Sequence, residues 1–362
     1  MRRIQNSAKS TVVRLLSLGL LGIGVIGIWA CSSDPEGTDS NDTGDSVSNE
    51  FVDGEVHDLV MGEETACVLD GDGVVDCGFS NIFNADEEES LADGDWTRIG
   101  TGPWIEEDVG LWATEDGEHW VGFGKDRLID EHFDMMPEGP FTQIASARSH
   151  SCGIDIEGRI ECWGQETSVS DTLDTVPSGD GWLRLMRYTD PSDRGTGTHP
   201  PFCAVHTDGD LECWGGEPGT VQKLVDDAPS GDQWIDAVIA DDTICALEED
   251  GNIECWHAHF EPRDWFESYE EASVEDGTEV RDMAFADKTL IVVDGQGTIN
   301  VWGPEQNHAL TADAVDGAGF EQVEAATVSY RSSGTSGLAC ALDGEGAMEC
   351  WGDDSLHEDY FP

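Results

Sequence analysis

Apolar and polar positions alternate with the two-residue period of a strand through "SCGIDIEGRIECWG", Ser151 to Gly164: Cys152 and Ile154 enter a polar tip, Ile160 and Cys162 leave it. The tip holds Gly158 after an acidic residue, which predicts a β-hairpin with a three-residue loop and the glycine in the left-handed position. In that register Asp155 and Arg159 form the closing hydrogen-bonded pair. Cys152 and Cys162 then face each other as a non-hydrogen-bonded pair, with Cα atoms about 4.5 Å apart and within reach of a disulfide.

The same frame recurs as "CVLDGDGVVDCGF" from Cys67, "CAVHTDGDLECWG" from Cys203, "CALEEDGNIECWH" from Cys245 and "CALDGEGAMECWG" from Cys340. Two more segments keep it without sulfur, "LWATEDGEHWVGF" from Leu111 and "IVVDGQGTINVWG" from Ile291, which pairs Leu111 with Val121 and Ile291 with Val301. The landmark is a glycine six positions in: Gly73, Gly117, Gly158, Gly209, Gly251, Gly297 and Gly346, spaced 41 to 51 residues apart. A short strand precedes each hairpin, headed by Trp96, Phe141, Trp182, Trp234 or Phe320 and, more weakly, by Val56 or Val280. Seven units of three strands plus a variable stretch leave little room for helices. The fold class expected is all-β, a seven-bladed β-propeller of four-stranded blades over residues 51–362.

The chain has 11 cysteines, and with Cys31 set aside the rest fall into five pairs ten residues apart: Cys67 with Cys77, Cys152 with Cys162, Cys203 with Cys213, Cys245 with Cys255, and Cys340 with Cys350. A zinc knuckle needs cysteines two to four residues apart and a redox pair needs Cys-x-x-Cys, and neither spacing occurs. One disulfide within the hairpin is expected in five of the seven blades.

The amino-terminal segment has a different pattern. Arg2, Arg3, Lys9 and Arg14 precede an apolar run from Leu15 to Ala30 that stops at Cys31, the shape of a signal-peptide core. "IWAC", Ile28 to Cys31, resembles the bacterial lipobox, which implies cleavage after residue 30 and lipidation of Cys31; Ser32 in place of an aspartate implies export to the outer membrane. Residues 31–50 carry no aromatic side chain and Val47 as their one branched aliphatic, so they are expected to form a disordered acidic tether between lipid and domain.

A net charge of −60 excludes general affinity for nucleic-acid phosphates and anionic head groups, leaving the lipid as the expected contact with a membrane. The chain holds no nucleophile elbow, zinc-protease motif, phosphate loop or dinucleotide fingerprint. "LDGDGVVD" from Leu69 has a faint likeness to a calcium loop but lacks the twelve-residue spacing and coincides with a hairpin turn, so no cofactor is expected. His257 and His259 face one way on a strand, too few ligands for a metal. Trp163, Trp214, Trp256, Trp302 and Trp351 alternate away from the sulfur face, either to pack between blades or to offer stacking surfaces for sugars.

The combination of aromatic-x-x-apolar, "SHSCGI" (Ser149 to Ile154), a glycine and "ECWG" resembles the regulator of chromosome condensation repeat in its cysteine-bearing bacterial form. The resemblance implies a seven-bladed propeller and a binding scaffold, and the exported, acidic chain does not suit the nucleotide-exchange role of eukaryotic members. The chain departs from the repeat after Trp-Gly, and its first two units carry Gly78-Phe79 and Gly122-Phe123 where Trp-Gly is usual.

Length varies most between the first strand and the hairpin: Val238 to Cys245 is seven steps, Leu185 to Cys203 eighteen, Val323 to Cys340 seventeen. Both long connections leave one point of the repeat and should share a face. Arg184, Arg187, Tyr188, Arg194, His199, Tyr330 and Arg331 are therefore the candidate ligand-binding residues. The expected function is a monomeric scaffold at the cell surface that binds another protein without catalysis. The alternatives are a glycan-binding module or a carbohydrate-acting enzyme using carboxylates on one propeller face.

Overall fold

Every predicted hairpin is present in the computed structural model, which describes residues 56–62, 65–78, 83, 90–105, 108–125, 132–147, 150–164, 173–190, 201–216, 224–226, 228, 233–240, 243–257, 280–286, 288–303, 310, 315, 317–330 and 334–353. Blade one is β1 (Val56–Gly62), β2 (Thr65–Asp70) and β3 (Val75–Gly78); blade two is β4 (Arg98–Ile105), β5 (Asp108–Thr114) and β6 (Trp120–Phe123). Blade three is β7 (Phe141–Ser146), β8 (His150–Asp155) and β9 (Ile160–Gly164). Blade four is β10 (Trp182–Leu185), β12 (Pro201–His206) and β13 (Leu211–Gly215), with β11 (Arg187–Asp190) inserted after its first strand. Blade five is β14 (Trp234–Ala240), β15 (Thr243–Glu248) and β16 (Ile253–His257). Blade six is β17 (Val280–Ala286), β18 (Thr289–Asp294) and β19 (Ile299–Trp302); blade seven is β20 (Phe320–Tyr330), β21 (Gly334–Asp343) and β22 (Met348–Gly352). A fourth strand outside the hairpin of each blade is not seen among the described residues, and the sheet of blade five has four strands because β11 joins its inner edge.

First strands of neighbouring blades lie against one another and line the axis. The connections from first to second strand therefore emerge on one face, and the turns from second to third strand on the other. In blade three the Asp155 N–H donates to the Arg159 carbonyl (2.9 Å) and Gly158 has φ +79°, as predicted. The Asp155 carboxylate accepts the N–H groups of Glu157 and Arg159, both at 2.9 Å, which satisfies the turn from inside. The Gly158 carbonyl then accepts the Trp182 N–H of the next blade (2.9 Å). All five cysteine pairs are bridged across directly opposed residues, with Cα atoms 3.9–4.1 Å apart.

Alternation also decides what meets what between blades. Cys152, Ile154 and Ile160 of blade three pack on Trp182, Phe202 and Trp214 of blade four, and Cys203 and Val205 of blade four pack on Trp234 and Trp256 of blade five. The sulfur face of one blade is thus covered by the tryptophan face of the next. Each large apolar side chain buried this way contributes about 1.5–3 kcal/mol. The ring closes the same way, Cys340 and Cys350 of blade seven meeting Leu59 and Met61 of blade one. Residues 56–62 belong to blade one itself, so no strand of blade seven is borrowed from the amino terminus among the described residues.

Blade six pairs Ile291 with Val301 as expected, but blade two departs from the sequence reading by one position. The structure opposes Trp112 to Gly122 and not Leu111 to Val121: Trp112 and Gly122 lie two positions outside the Thr114–Trp120 pair, as Cys67 and Cys77 lie two outside Leu69 and Val75. The turn is the cause. Gly117 follows Thr114 by three residues, whereas Gly73 follows Leu69 by four, so counting from the glycine slips the frame. Where other blades hold sulfur, the Trp112 indole lies edge-on to Phe133 (4.6 Å) and to Trp163 of blade three (5.9 Å). Gly122 leaves room for this, since a Cβ there would fall 2.1 Å from the Phe133 ring. Gly78 instead opposes Ala66, one position further along, so Gly78-Phe79 and Gly122-Phe123 are not equivalent.

Candidate functional site

The third residue counted from the one that heads each unit (Val56, Trp96, Phe141, Trp182, Trp234, Val280 and Phe320) is polar, and an apolar residue follows it: Asp58, Arg98, Gln143, Arg184, Asp236, Asp282 and Gln322. In six blades this residue marks a bulge in the pairing with the second strand. For all but Asp236, the side chain reaches the following blade. Asp58 Oδ2 accepts the Ile99 N–H (3.0 Å), and Arg98 Nη1 donates to the Thr142 carbonyl (3.1 Å). Gln143 accepts the Leu185 N–H (2.9 Å) and donates to the Leu185 carbonyl (3.2 Å), and the Arg184 guanidinium meets the Asp236 carboxylate. Asp282 Oδ2 accepts the Val323 N–H (2.9 Å), and Gln322 Nε2 donates to the Leu59 carbonyl (2.9 Å) and to Asp58 Oδ1 (3.0 Å). Alternation by itself did not single these residues out. The signal that could have found them is a polar residue recurring at one position of a strand that is otherwise buried.

A cavity of about 150 Å³ lies among the inner strands of blades one, two, three and seven, lined by Asp58, Arg98, Gln143, Ser146, Gln322 and Glu324 among others. It is smaller than the roughly 300–1,000 Å³ of a ligand pocket. Its polar walls are also committed. Asp58 accepts from Ile99, Leu59 and Gln322, and burial pushes its carboxyl above the ordinary 3.8 against those hydrogen bonds and the nearby Arg98 charge. Ser146 accepts the Trp112 indole N–H (2.9 Å) and bonds Ser151 (2.6 Å), whose hydroxyl meets His132 Nε2 (2.7 Å). Ser151 and His132 are fully buried, so this serine–histidine contact is closed to substrate.

The axis is further occupied by β11. After Met186 the chain leaves blade four and pairs in parallel with the inner edge of β14, Arg187 opposite Val238 and Tyr188 opposite Ile239. From there the strand lies against the inner strands of blades one, three, six and seven. Among the candidate ligand-binding residues, Arg184 lies in β10 as a clasp between blades, while Arg187 and Tyr188 belong to this axial strand. Tyr330 ends β20 opposite Gly334, in a hairpin extended beyond the ring. A second extended hairpin, Thr101–Leu111, leaves blade two on the same face, and its twelve-step connection was readable in the sequence. Arg194, His199, Arg331, Cys31 and His259 lie outside the described residues.

Trp163, Trp214, Trp256 and Trp351 are buried between blades and offer no stacking surface for sugars, while Trp302 is half-buried. Trp256 and Trp351 donate their indole N–H to the Leu224 and Leu310 carbonyls. In the turn that resembled a calcium loop, Asp70 Oδ1 accepts the N–H groups of Asp72 and Val74, both at 2.9 Å. That aspartate is a turn cap.

No family model and no curated protein sequence matches the chain. Among solved structures it is similar to the CRINKLY WD40 ectodomain of the Arabidopsis thaliana receptor kinase ACR4, at 14% identity and TM-score 0.53 over 82% of this chain and 94% of that one. It is also similar to the ectodomain of the Physcomitrella patens receptor kinase CR4, at 12% identity and TM-score 0.53, over 82% and 72% of the two chains. The human WBSCR16 structure matches at 13% identity and TM-score 0.50, over 70% and 78%. The chain is a β-propeller. It is a seven-bladed one, with one hairpin disulfide in each of five blades.

Proposed function

We propose that this propeller is an exported scaffold that binds another protein through the face carrying its extended connections, held at the bacterial surface by lipid on Cys31. The observation that carries this reading is the distribution of length. The turns on one face keep a nearly constant size, while three connections on the other are lengthened, two as hairpins rising from blades two and seven and one as the segment containing β11. Long connections on a rigid ring are where propellers place recognition. The cavity among blades one, two, three and seven is small, and its polar walls are engaged between blades. The signal segment, the "IWAC" sequence and the cysteine-bearing repeats support assignment to the exported bacterial form of the regulator of chromosome condensation repeat, acting without catalysis.

The test is cross-linking on intact cells with the natural chain and with residues 191–200 replaced by a short Gly-Ser bridge, which leaves β11 in place. Loss of the cross-linked partner at unchanged thermal stability is the expected result; an identical cross-link pattern overturns the reading. Cys31→Ser should move the protein from the membrane fraction to the soluble one, and continued membrane association would remove the lipid anchor from the proposal.

A further inference from the structure

The turn face carries an apolar arc that its equivalents in other blades lack. Leu183 and Ile235, second residues of the inner strands of blades four and five, are 62% and 39% exposed, and Ile156 in the turn of blade three is 53% exposed. The residues equivalent to Leu183 elsewhere are His57, Thr97, Thr142, Arg281 and Glu321. The three residues stand on three consecutive blades. The Trp182 N–H bond to Gly158 sets the turn of Ile156 against the start of β10, and the Arg184–Asp236 ion pair sets the neighbours of Leu183 and Ile235 side by side. Isolated exposed aliphatics are ordinary, but three together on adjacent blades form a patch that water solvates poorly.

The surroundings of the arc say what would cover it. Glu157, Asp208, Asp210, Glu249 and Asp250 stand exposed on the same three turns. The nearby cations are already engaged, Arg159 with Asp155 and Glu157, and Arg184 with Asp236. An acidic membrane surface or a second copy of a chain carrying −60 would be repelled. We infer that Ile156, Leu183 and Ile235 form a docking surface for a cationic amphipathic segment of a partner protein, apolar anchors on the arc and lysines or arginines on the flanking carboxylates. This surface lies opposite the extended connections, so its failure leaves the reading of that face untouched.

The probe is a labelled synthetic peptide of leucine and lysine, with a second peptide in which serine replaces every leucine at the same charge. Fluorescence anisotropy with the full chain should give at least tenfold tighter binding of the leucine peptide, and the triple variant Ile156→Ser, Leu183→Ser, Ile235→Ser should lose that preference. Both should retain the weak, salt-sensitive attraction that any polycation feels for this surface. Equal binding of both peptides by the natural chain, or an unchanged preference in the triple variant, overturns the inference. So does sedimentation showing that the natural chain pairs with itself and the triple variant does not. The 191–200 replacement serves as control and should bind the leucine peptide normally.

Discussion

Gln322 Nε2 lies 3.0 Å from Asp58 Oδ1, joining residues 264 positions apart and sealing blade seven to blade one. The same seam is held by the Val56 N–H on the Gly346 carbonyl (3.1 Å), so closure of the ring depends on side-chain clasps and backbone contacts with no exchanged strand among the described residues. Gln322→Ala removes one donor from a half-buried carboxylate and one from the Leu59 carbonyl. The expected loss is about 1–3 kcal/mol, read as a lower denaturation midpoint at unchanged slope. Equal stability would mean that the seam does not depend on the clasp.

Gly297 has φ +77°, and a Cβ on it would fall 2.4 Å from the Gly319 backbone nitrogen of the next blade; Gly117 has φ +79° and nothing within 4 Å. Gly117→Ala should therefore cost only the left-handed strain of about 1–2 kcal/mol. Gly297→Ala adds a clash with backbone that cannot rotate away, and its midpoint should fall clearly further. Matching losses at the two sites would contradict the close approach between blades.

Each disulfide spans ten residues within a hairpin already in register, so opening one should cost no more than about 2–3 kcal/mol. Mass mapping should link cysteines ten apart in all five pairs, and the double variant Cys152→Ile with Cys162→Val should fold with a modestly lowered midpoint, as the sulfur-free Ile291–Val301 pair does in blade six. A link between different blades would refute the register.

Blade two offers the reverse experiment. Trp112 and Gly122 stand in the register of the cysteine pairs, and the Phe133 ring fills the space between blades. Trp112→Cys with Gly122→Cys should form a sixth hairpin disulfide only when Phe133→Ala makes room for the new Cβ. The same exchange at Leu111 and Val121 should leave both thiols free, since those residues are not opposed, and thiol titration separates the two outcomes.

His206 places Nδ1 2.6 Å from Asp208 Oδ1 and Nε2 2.9 Å from the Asp180 carbonyl, two acceptors that the imidazolium alone can serve at once. The backbone bond to Asp180 and then the side-chain bond to Asp208 raise its pKa above 6.5, while the bond from His206 holds Asp208 below 3.8. The histidine's contribution is complete below about pH 6.5 and is lost as pH rises through its elevated value. The aspartate's contribution is complete above about pH 3.8 and is lost as pH falls through its lowered value. Thermal midpoints across pH should show a shallow maximum between these limits that His206→Gln flattens on the alkaline side. An unchanged profile would rule out the charged pair.

The hairpins, their register in six of seven blades and the five cysteine pairings follow from residues within ten positions of one another, where pleat and turn chemistry decide alone. Blade two escaped that logic because its turn glycine stands one residue early, and only the Thr114–Trp120 pairing shows where the frame lies. Asp58, Arg98 and Gln143 read as unremarkable polar residues until the neighbouring blade supplies the N–H or carbonyl each one meets. Arg187 and Tyr188 sit in a long connection whose sequence does not reveal that its first residues turn inward to pair with β14. Local periodicity determined what each blade is. Contacts across more than forty residues, set by side-chain volume and by where the chain leaves each strand, decided how the blades are clasped, what fills the axis and which apolar side chains stay exposed.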